Sequence, residues 1–162
     1  MNPMKENYEL RDEASVERIK KLFIVNILGL SHLIVRDTNR WLNRLGYALQ
    51  IEQIRILMTI NYLKNPPSQQ DIANILQKNK AGIQRSIQTL QRDGYLRSTT
   101  DDQDKRKNVV VLTPAGKLFV EKATEALEGM NAEMEKYFDE EEIAVLLRIR
   151  NKIEAIAQST EK

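Results

Sequence analysis

The apolar positions along this chain fall at two kinds of spacing, which together predict a mostly helical protein with one small β element. From Ser15 to about Leu45, Ile19, Leu22, Phe23, Ile27, Leu30, Ile34, Trp41 and Leu45 recur at helical intervals, so this stretch reads as one long helix closed by Gly46 in a left-handed cap. At about 30 residues it is long for a globular helix and is expected to serve more than one packing surface. A second helix is predicted over Ile51 to Leu63, with Ile54, Leu57, Met58 and Leu63 buried, and Pro66 and Pro67 forbid its continuation. Ser68 and Asp71 then fit the capping box [ST]-x-x-[DE], which opens a short helix from Gln69 to about Leu76 that turns Ile72, Ala73 and Leu76 inward. Asn79 caps the next helix, where Ile83, Ile87 and Leu90 form a narrow apolar stripe before Gly94 ends it.

The period changes after Gly94. "YLRSTT" and "NVVVL" concentrate β-branched residues on either side of a charged run, which predicts two strands of a hairpin. Thr113 followed by Pro114 is a strong helix start, and Phe119, Ala123, Leu127, Met130, Met134 and Tyr137 continue at helical spacing. Asp139 and Glu142 form a second capping box, followed by Ile143, Leu146, Leu147, Ile153 and Ile156. Two short helices joined by a tight turn, with a hairpin behind them, make a winged helix-turn-helix. The predicted organisation is a flexible segment over residues 1–14, a winged helix-turn-helix over 47–116, and helices at 15–46 and 117–162 left over for dimerisation.

Composition narrows the function. The chain has 162 residues, 41% hydrophobic and 30% charged, and no apolar run approaches the ~20 residues that a membrane span needs. The apolar stretch Leu22 to Val35 follows twenty polar, charge-rich residues and lacks a small-residue cleavage site, so it reads as a buried helix and the protein is expected in the cytoplasm. The absence of cysteine excludes disulfides, thiolate catalysis and thiol redox sensing. The formal net charge of +2 conceals a polarity along the chain. Residues 78–107 carry eight basic side chains against four acidic, whereas residues 121–162 carry six basic against eleven acidic. The first of these segments is suited to a polyanion.

That segment contains the predicted recognition helix. Taken alone, a charged amphipathic helix is usually a solvated face, but the second helix of a helix-turn-helix meets DNA through its N-terminal residues. Those are Lys78, Asn79, Lys80, Ala81, Gly82, Gln84, Arg85 and Gln88, with no acid among them. Arginine can bridge guanine acceptors, glutamine can pair with adenine, and Lys80 with the helix N-terminus suits phosphate. Ala81 and Gly82 lack bulk, which lets the backbone approach closely. Ser68 and Gln69, opening the preceding helix, complete the candidate contacts on this side. The run Gln103, Asp104, Lys105, Arg106 and Lys107 at the hairpin tip can carry an arginine to a minor groove beyond the helix's reach. An acid beside Arg106 can hold its fork in a fixed pose.

These motifs resemble the MarR family of bacterial transcriptional regulators, over nearly all of the chain from about Ser15. Family wings resemble D-x-R-D-x-R before a strand and L-T-P-x-G; here stand Asp101, Gln103, Asp104 and Arg106, then Leu112-Thr113-Pro114-Ala115-Gly116. In the family's recognition-helix pattern, Ile83, Arg85, Ile87, Leu90, Gly94, Tyr95 and Leu96 fit, and Gln53 and Leu57 match the preceding helix. Three positions depart: Gln103 replaces the first wing arginine, Gln84 a small hydroxyl, and Gln50 a serine or threonine cap. The resemblance implies a homodimer on double-stranded DNA, with first and last helices interlocked across subunits. Ile19, Leu22, Phe23, Leu146, Ile153 and Ile156 are the candidates for that interface, and the apolar surface of these helices exceeds what one small domain needs. It also implies a small aromatic or anionic effector, for which His32 and Arg36, one helical turn apart, are candidates. The plainer reading makes His32 a core or interface histidine and Arg36 a solvated one.

Little points to an enzyme. His32 is the only histidine, no serine lies in G-x-S-x-G, and the adjacent Glu140, Glu141 and Glu142 do not converge on a helix. No cofactor or metal site is expected. The expected function is a repressor binding a pseudo-palindromic operator. The rival is a winged helix that binds another protein, or DNA without sequence preference, and the retained cations Lys78, Lys80, Arg85 and Arg106 favour specific DNA.

Overall fold

The computed structural model describes residues 12–101 and 104–160. Seven helices and one hairpin follow in the order α1 (Glu13–Lys20), α2 (Phe23–Arg44), α3 (Ile51–Tyr62), α4 (Gln69–Ile75), α5 (Lys80–Arg92), β1 (Leu96–Thr100), β2 (Asn108–Leu112), α6 (Pro114–Glu135) and α7 (Glu140–Thr160). This is the mostly α winged helix-turn-helix that the spacing predicts. Contacts divide the chain into two units, one ending at Glu52 and one starting at Gln53, so the boundary falls inside α3. No helix among the described residues is long and apolar enough to cross a membrane.

The first unit departs from the sequence expectation. The single helix over Ser15 to Leu45 is two helices, broken at Lys21 and Leu22. The periodicity continues through the break because the two pieces stay nearly in phase, and so it conceals the interruption. Asn26 bridges it: its side-chain amide donates to the Lys20 carbonyl at 2.7 Å and to the Leu22 carbonyl at 2.9 Å, which also accepts from Asn26 N at 3.2 Å. Helical structure also starts earlier than expected, at Glu13, because the Asp12 side chain accepts from the Ser15 N–H. Residues 1–11 of the predicted flexible segment lie outside the described residues. The missing serine or threonine cap at Gln50 is supplied from a distance, since the Asn39 side chain on α2 accepts from Ile51 N at 2.7 Å.

In the second unit the core collects one face from each short element. Ile54, Leu57, Ile72, Ile83, Ile87, Leu90, Val110 and Val120 are each under 2% exposed. Burying a side chain of this kind contributes about 1.5–3 kcal/mol, which makes this cluster the main stabilising term. Two expected core positions fall outside it: Leu63 lies beyond the end of α3 and is exposed, and Tyr137 is 83% exposed past the end of α6. On α6 the fully buried positions are Gly116, Val120 and Ala123; Ala123 is buried as its spacing predicts, and Phe119 beside Val120 is half-buried. Phe119 meets Tyr95, with ring centroids 4.9 Å apart.

The wing pairs Leu96 with Leu112 through Thr100 with Asn108 in antiparallel register. Its outer strand is anchored a second time, where Val110 N donates to Pro67 O at 2.9 Å. The L-T-P-x-G motif has a local function here. Thr113 Oγ1 accepts from Gly116 N at 3.0 Å and donates to Gly94 O at 2.6 Å, while Thr113 N donates to Tyr95 O at 3.0 Å. Gly116 packs directly on that turn, and a Cβ there would lie 2.1 Å from Tyr95 O. The obstacle is backbone and cannot rotate away. Gly116→Ala is therefore expected to destabilise the protein by about 3 kcal/mol, near the top of the range for overpacking, read as a lower urea midpoint with unchanged m-value.

Candidate nucleic-acid interface

Helix α5 presents two opposed faces because its register is held at both ends. Asn79 caps it, accepting from Gly82 N at 2.7 Å, and Ile83, Ile87 and Leu90 are buried on the inner side. Ala81, Gln84, Arg85 and Gln88 are exposed on the outer side. No acid occurs in the thirteen residues of α5. Gly82 has a local reason to lack a side chain, since a Cβ would come 3.1 Å from the Asn79 cap oxygen.

Beside the first turn of α5 lies a cleft of about 320 Å³ lined by Ser68, Gln69, Gln70, Lys80, Ser98, Asn108 and Val110. Of the predicted contacts it brings together Ser68, Gln69 and Lys80. Gln70, Ser98 and Asn108 were not read from the sequence. The available signal was the strand period, because Ser98 and Thr100 share one side of β1 while Asn108 and Val110 share one side of β2. The lining holds one cation and no carboxylate, with hydroxyl and amide donors around it, a composition suited to a phosphate.

Hydrogen bonding within the cleft assigns these donors. The Ser68 hydroxyl donates to Asp71 Oδ2 at 2.7 Å and accepts from Asp71 N at 3.2 Å, so its proton is committed to the capping box. Ser98 Oγ accepts from Gln91 Nε2 at 2.7 Å, which ties α5 to β1 and leaves the Ser98 proton available. The Ser68 hydroxyl and then the Ser68 N–H hold the Asp71 carboxyl below the ordinary aspartate range, and the nearby Lys107 ammonium adds to that effect.

At the wing tip Asp101 N donates to Lys107 O, and Asp101 Oδ1 accepts from Asp104 N at 3.0 Å, closing the loop as a turn. Asp104 Oδ1 accepts from Arg106 N at 3.1 Å and from Arg106 Nε at 3.3 Å. The Arg106 side chain is nonetheless 92% exposed, posed by its acid and open to solvent. Lys105 and Lys107 are exposed beside it, and Gln103 lies outside the described residues. Lys78 is exposed in the turn before α5.

His32 and Arg36 are both exposed on α2 of this chain, so the reading of His32 as a core side chain is not met within a single subunit. Arg36 is already paired, with Nε to Asp37 Oδ1 at 2.9 Å and Nη2 to Asp37 Oδ2 at 3.3 Å. That fork, with weaker contributions from Arg40 and Arg44, holds the Asp37 carboxyl below its usual range. Among the described residues no group of three or more His, Asp or Glu side chains is arranged to hold a metal ion.

A capped, acid-free helix facing outward beside a charged hairpin makes up a winged helix-turn-helix. Residues 47–107, the winged helix without its last strand, match the MarR family model. The fold agrees over most of the chain. BldR from Sulfolobus solfataricus is 23% identical with a TM-score of 0.70, covering 89% of this chain and 99% of that one. MepR of S. aureus, solved as a complex with DNA, is 20% identical with a TM-score of 0.72, covering 84% and 96%. BpsR of Bordetella bronchiseptica, whose DNA binding is regulated by 6-hydroxynicotinic acid, is 18% identical with a TM-score of 0.74, covering 83% and 94%. A comparison with curated proteins gives no match.

The capping acid makes a pH prediction. A depressed carboxyl pKa in the folded state contributes stability that is present above the unfolded aspartate pKa and lost as pH falls through the folded one. Thermal melts should therefore weaken as pH drops through and below the ordinary aspartate range, and Asp71→Asn should flatten the share of that loss due to this residue.

Proposed function

We propose that the protein is a cytoplasmic, homodimeric repressor that binds a pseudo-palindromic operator in double-stranded DNA. The observation that carries this reading is the outer face of α5, exposed and free of acid, next to a cleft whose one charged group is Lys80. In this reading Arg85, Gln84 and Gln88 meet base edges in the major groove. Lys80, Gln69 and Ser98 hold phosphate, Ser68 positions the helix opening, and Arg106 reaches the minor groove from the wing.

Homodimer formation is supported by apolar surface that one chain leaves uncovered. Phe23 is 62% exposed and Ile156 65%, and Ile19, Leu22, Leu146 and Ile153 are exposed as well. Such surface in water favours association. A two-fold dimer places two recognition helices on half-sites about one DNA turn apart. Regulation is by a small aromatic or anionic effector, supported by the BpsR precedent, with His32 and Arg36 as its candidate contacts. A carboxylate ligand there must displace Asp37 from the Arg36 fork.

The direct test is fluorescence anisotropy on duplex DNA from upstream of the protein's own gene, against a shuffled duplex, over a salt series. A preference for the native duplex with steep salt dependence is expected; equal weak binding to both would reduce the protein to a nonspecific binder, and no binding at low salt would favour a protein partner. Arg106→Ala should weaken binding to all duplexes and lower the salt slope by about one, whereas Arg85→Ala should also relax sequence preference by about 1–3 kcal/mol at one base pair. Equal losses on operator and shuffled DNA for both variants would contradict this division of roles. Sedimentation equilibrium should give twice the chain mass of 18.8 kDa, with Phe23→Glu shifting the protein toward monomer.

A further inference from the structure

Three helices here end in the same hydrogen-bonded turn, and one of them uses an unexpected residue. After α2, Gly46 N donates to Asn43 O and Tyr47 N to Leu42 O; after α5, Gly94 N donates to Gln91 O and Tyr95 N to Leu90 O. After α4 the same pair recurs, from Gln77 N to Asn74 O at 3.2 Å and from Lys78 N to Ala73 O at 2.9 Å. All three are Schellman closures, which need a left-handed residue and favour glycine. Gly46 and Gly94 take it at φ 85° and 82°, whereas Gln77 takes it at φ 50° and is the only non-glycine residue with positive φ among those described.

Nothing local accounts for glutamine at this position. Its side chain is exposed and engages no hydrogen-bond partner among the described residues, so neither packing nor side-chain capping offsets the strain there. Strained backbone is retained where the residue has a use. Gln77 lies in the turn of the helix-turn-helix, two residues before the Asn79 cap of α5. Under the DNA reading, this turn borders the groove that α5 enters.

We propose that Gln77 contacts DNA, and that the turn keeps glutamine there for its unoccupied carboxamide, which can donate to a phosphate oxygen or pair with a base edge. The inference rests on the proposed DNA-binding function and adds a contact upstream of the recognition helix.

The test compares Gln77→Ala and Gln77→Gly on operator and shuffled duplexes, with Arg85→Ala as reference and a thermal melt of each variant. Alanine keeps the strained Cβ and removes only the carboxamide; glycine removes both. Both variants should lose about fivefold in affinity, as expected for one neutral hydrogen bond, and Gln77→Gly should melt about 2 °C higher than wild type. A loss on both duplexes identifies a phosphate contact, and a loss on the operator alone identifies a base edge. The proposal fails if both variants bind as wild type while Arg85→Ala does not. It also fails if glycine alone weakens binding, which would assign the effect to turn flexibility, or if glycine lowers the melting temperature. A wild-type protein that binds no duplex overturns the DNA reading itself.

Discussion

The second unit depends on a knot of backbone contacts where four elements meet. The Gly94 and Tyr95 carbonyls, at the end of α5 and the start of β1, receive the Thr113 hydroxyl and N–H from the junction of β2 and α6. Thr113 uses the same oxygen to cap α6, and Gly116 makes room for this by having no Cβ. One threonine thereby links the end of the recognition helix, both wing strands and the start of α6. The end of α5 and the root of the wing are held there together.

The surface formed by α4, α5 and the wing divides its polar groups into those bonded within the protein and those left exposed. Asn79, Ser68, Asp71 and Gln91 spend their hydrogen bonds on the protein, on two caps and a tie to the wing. Lys80, Arg85 and Arg106 remain exposed. The acids nearby are consistent with this arrangement, because Asp71 closes a capping box and Asp104 fixes the pose of Arg106. An exposed ion pair of this kind contributes little to stability, but it narrows the arginine's conformations before any ligand arrives.

The amphipathic helices of the two units differ in how far their apolar faces are covered. In α5 the apolar stripe is narrow and fully buried within its own unit. On α1, α2 and α7 several large apolar side chains, among them Ile19, Phe23, Leu28, Leu146 and Ile156, stay exposed in the single chain, with no buried residue on α1. An amphipathic helix draws most of its stability from packing its apolar face, so α5 is held by its own unit more firmly than α1 is.

Local rules determined much of this protein from the sequence alone. Ser68 with Asp71, Asn79, Thr113 with Pro114, and Asp139 with Glu142 are short-range devices, and each caps where its spacing says, because capping involves residues three apart. The hairpin and the buried stripe of α5 were legible for the same reason. Only the tertiary structure decided the break at Lys21 and Leu22, which helical periodicity spans without a change of phase. It also decided the capping of α3 by Asn39, twelve residues away, and the close seat of Gly116 on the Tyr95 carbonyl. The cleft that joins Lys80 to Ser98 and Asn108 belongs to this second group. Its residues are separated by up to 42 positions and come together only because the wing folds back on α4 and α5, with Val110 bonded to Pro67.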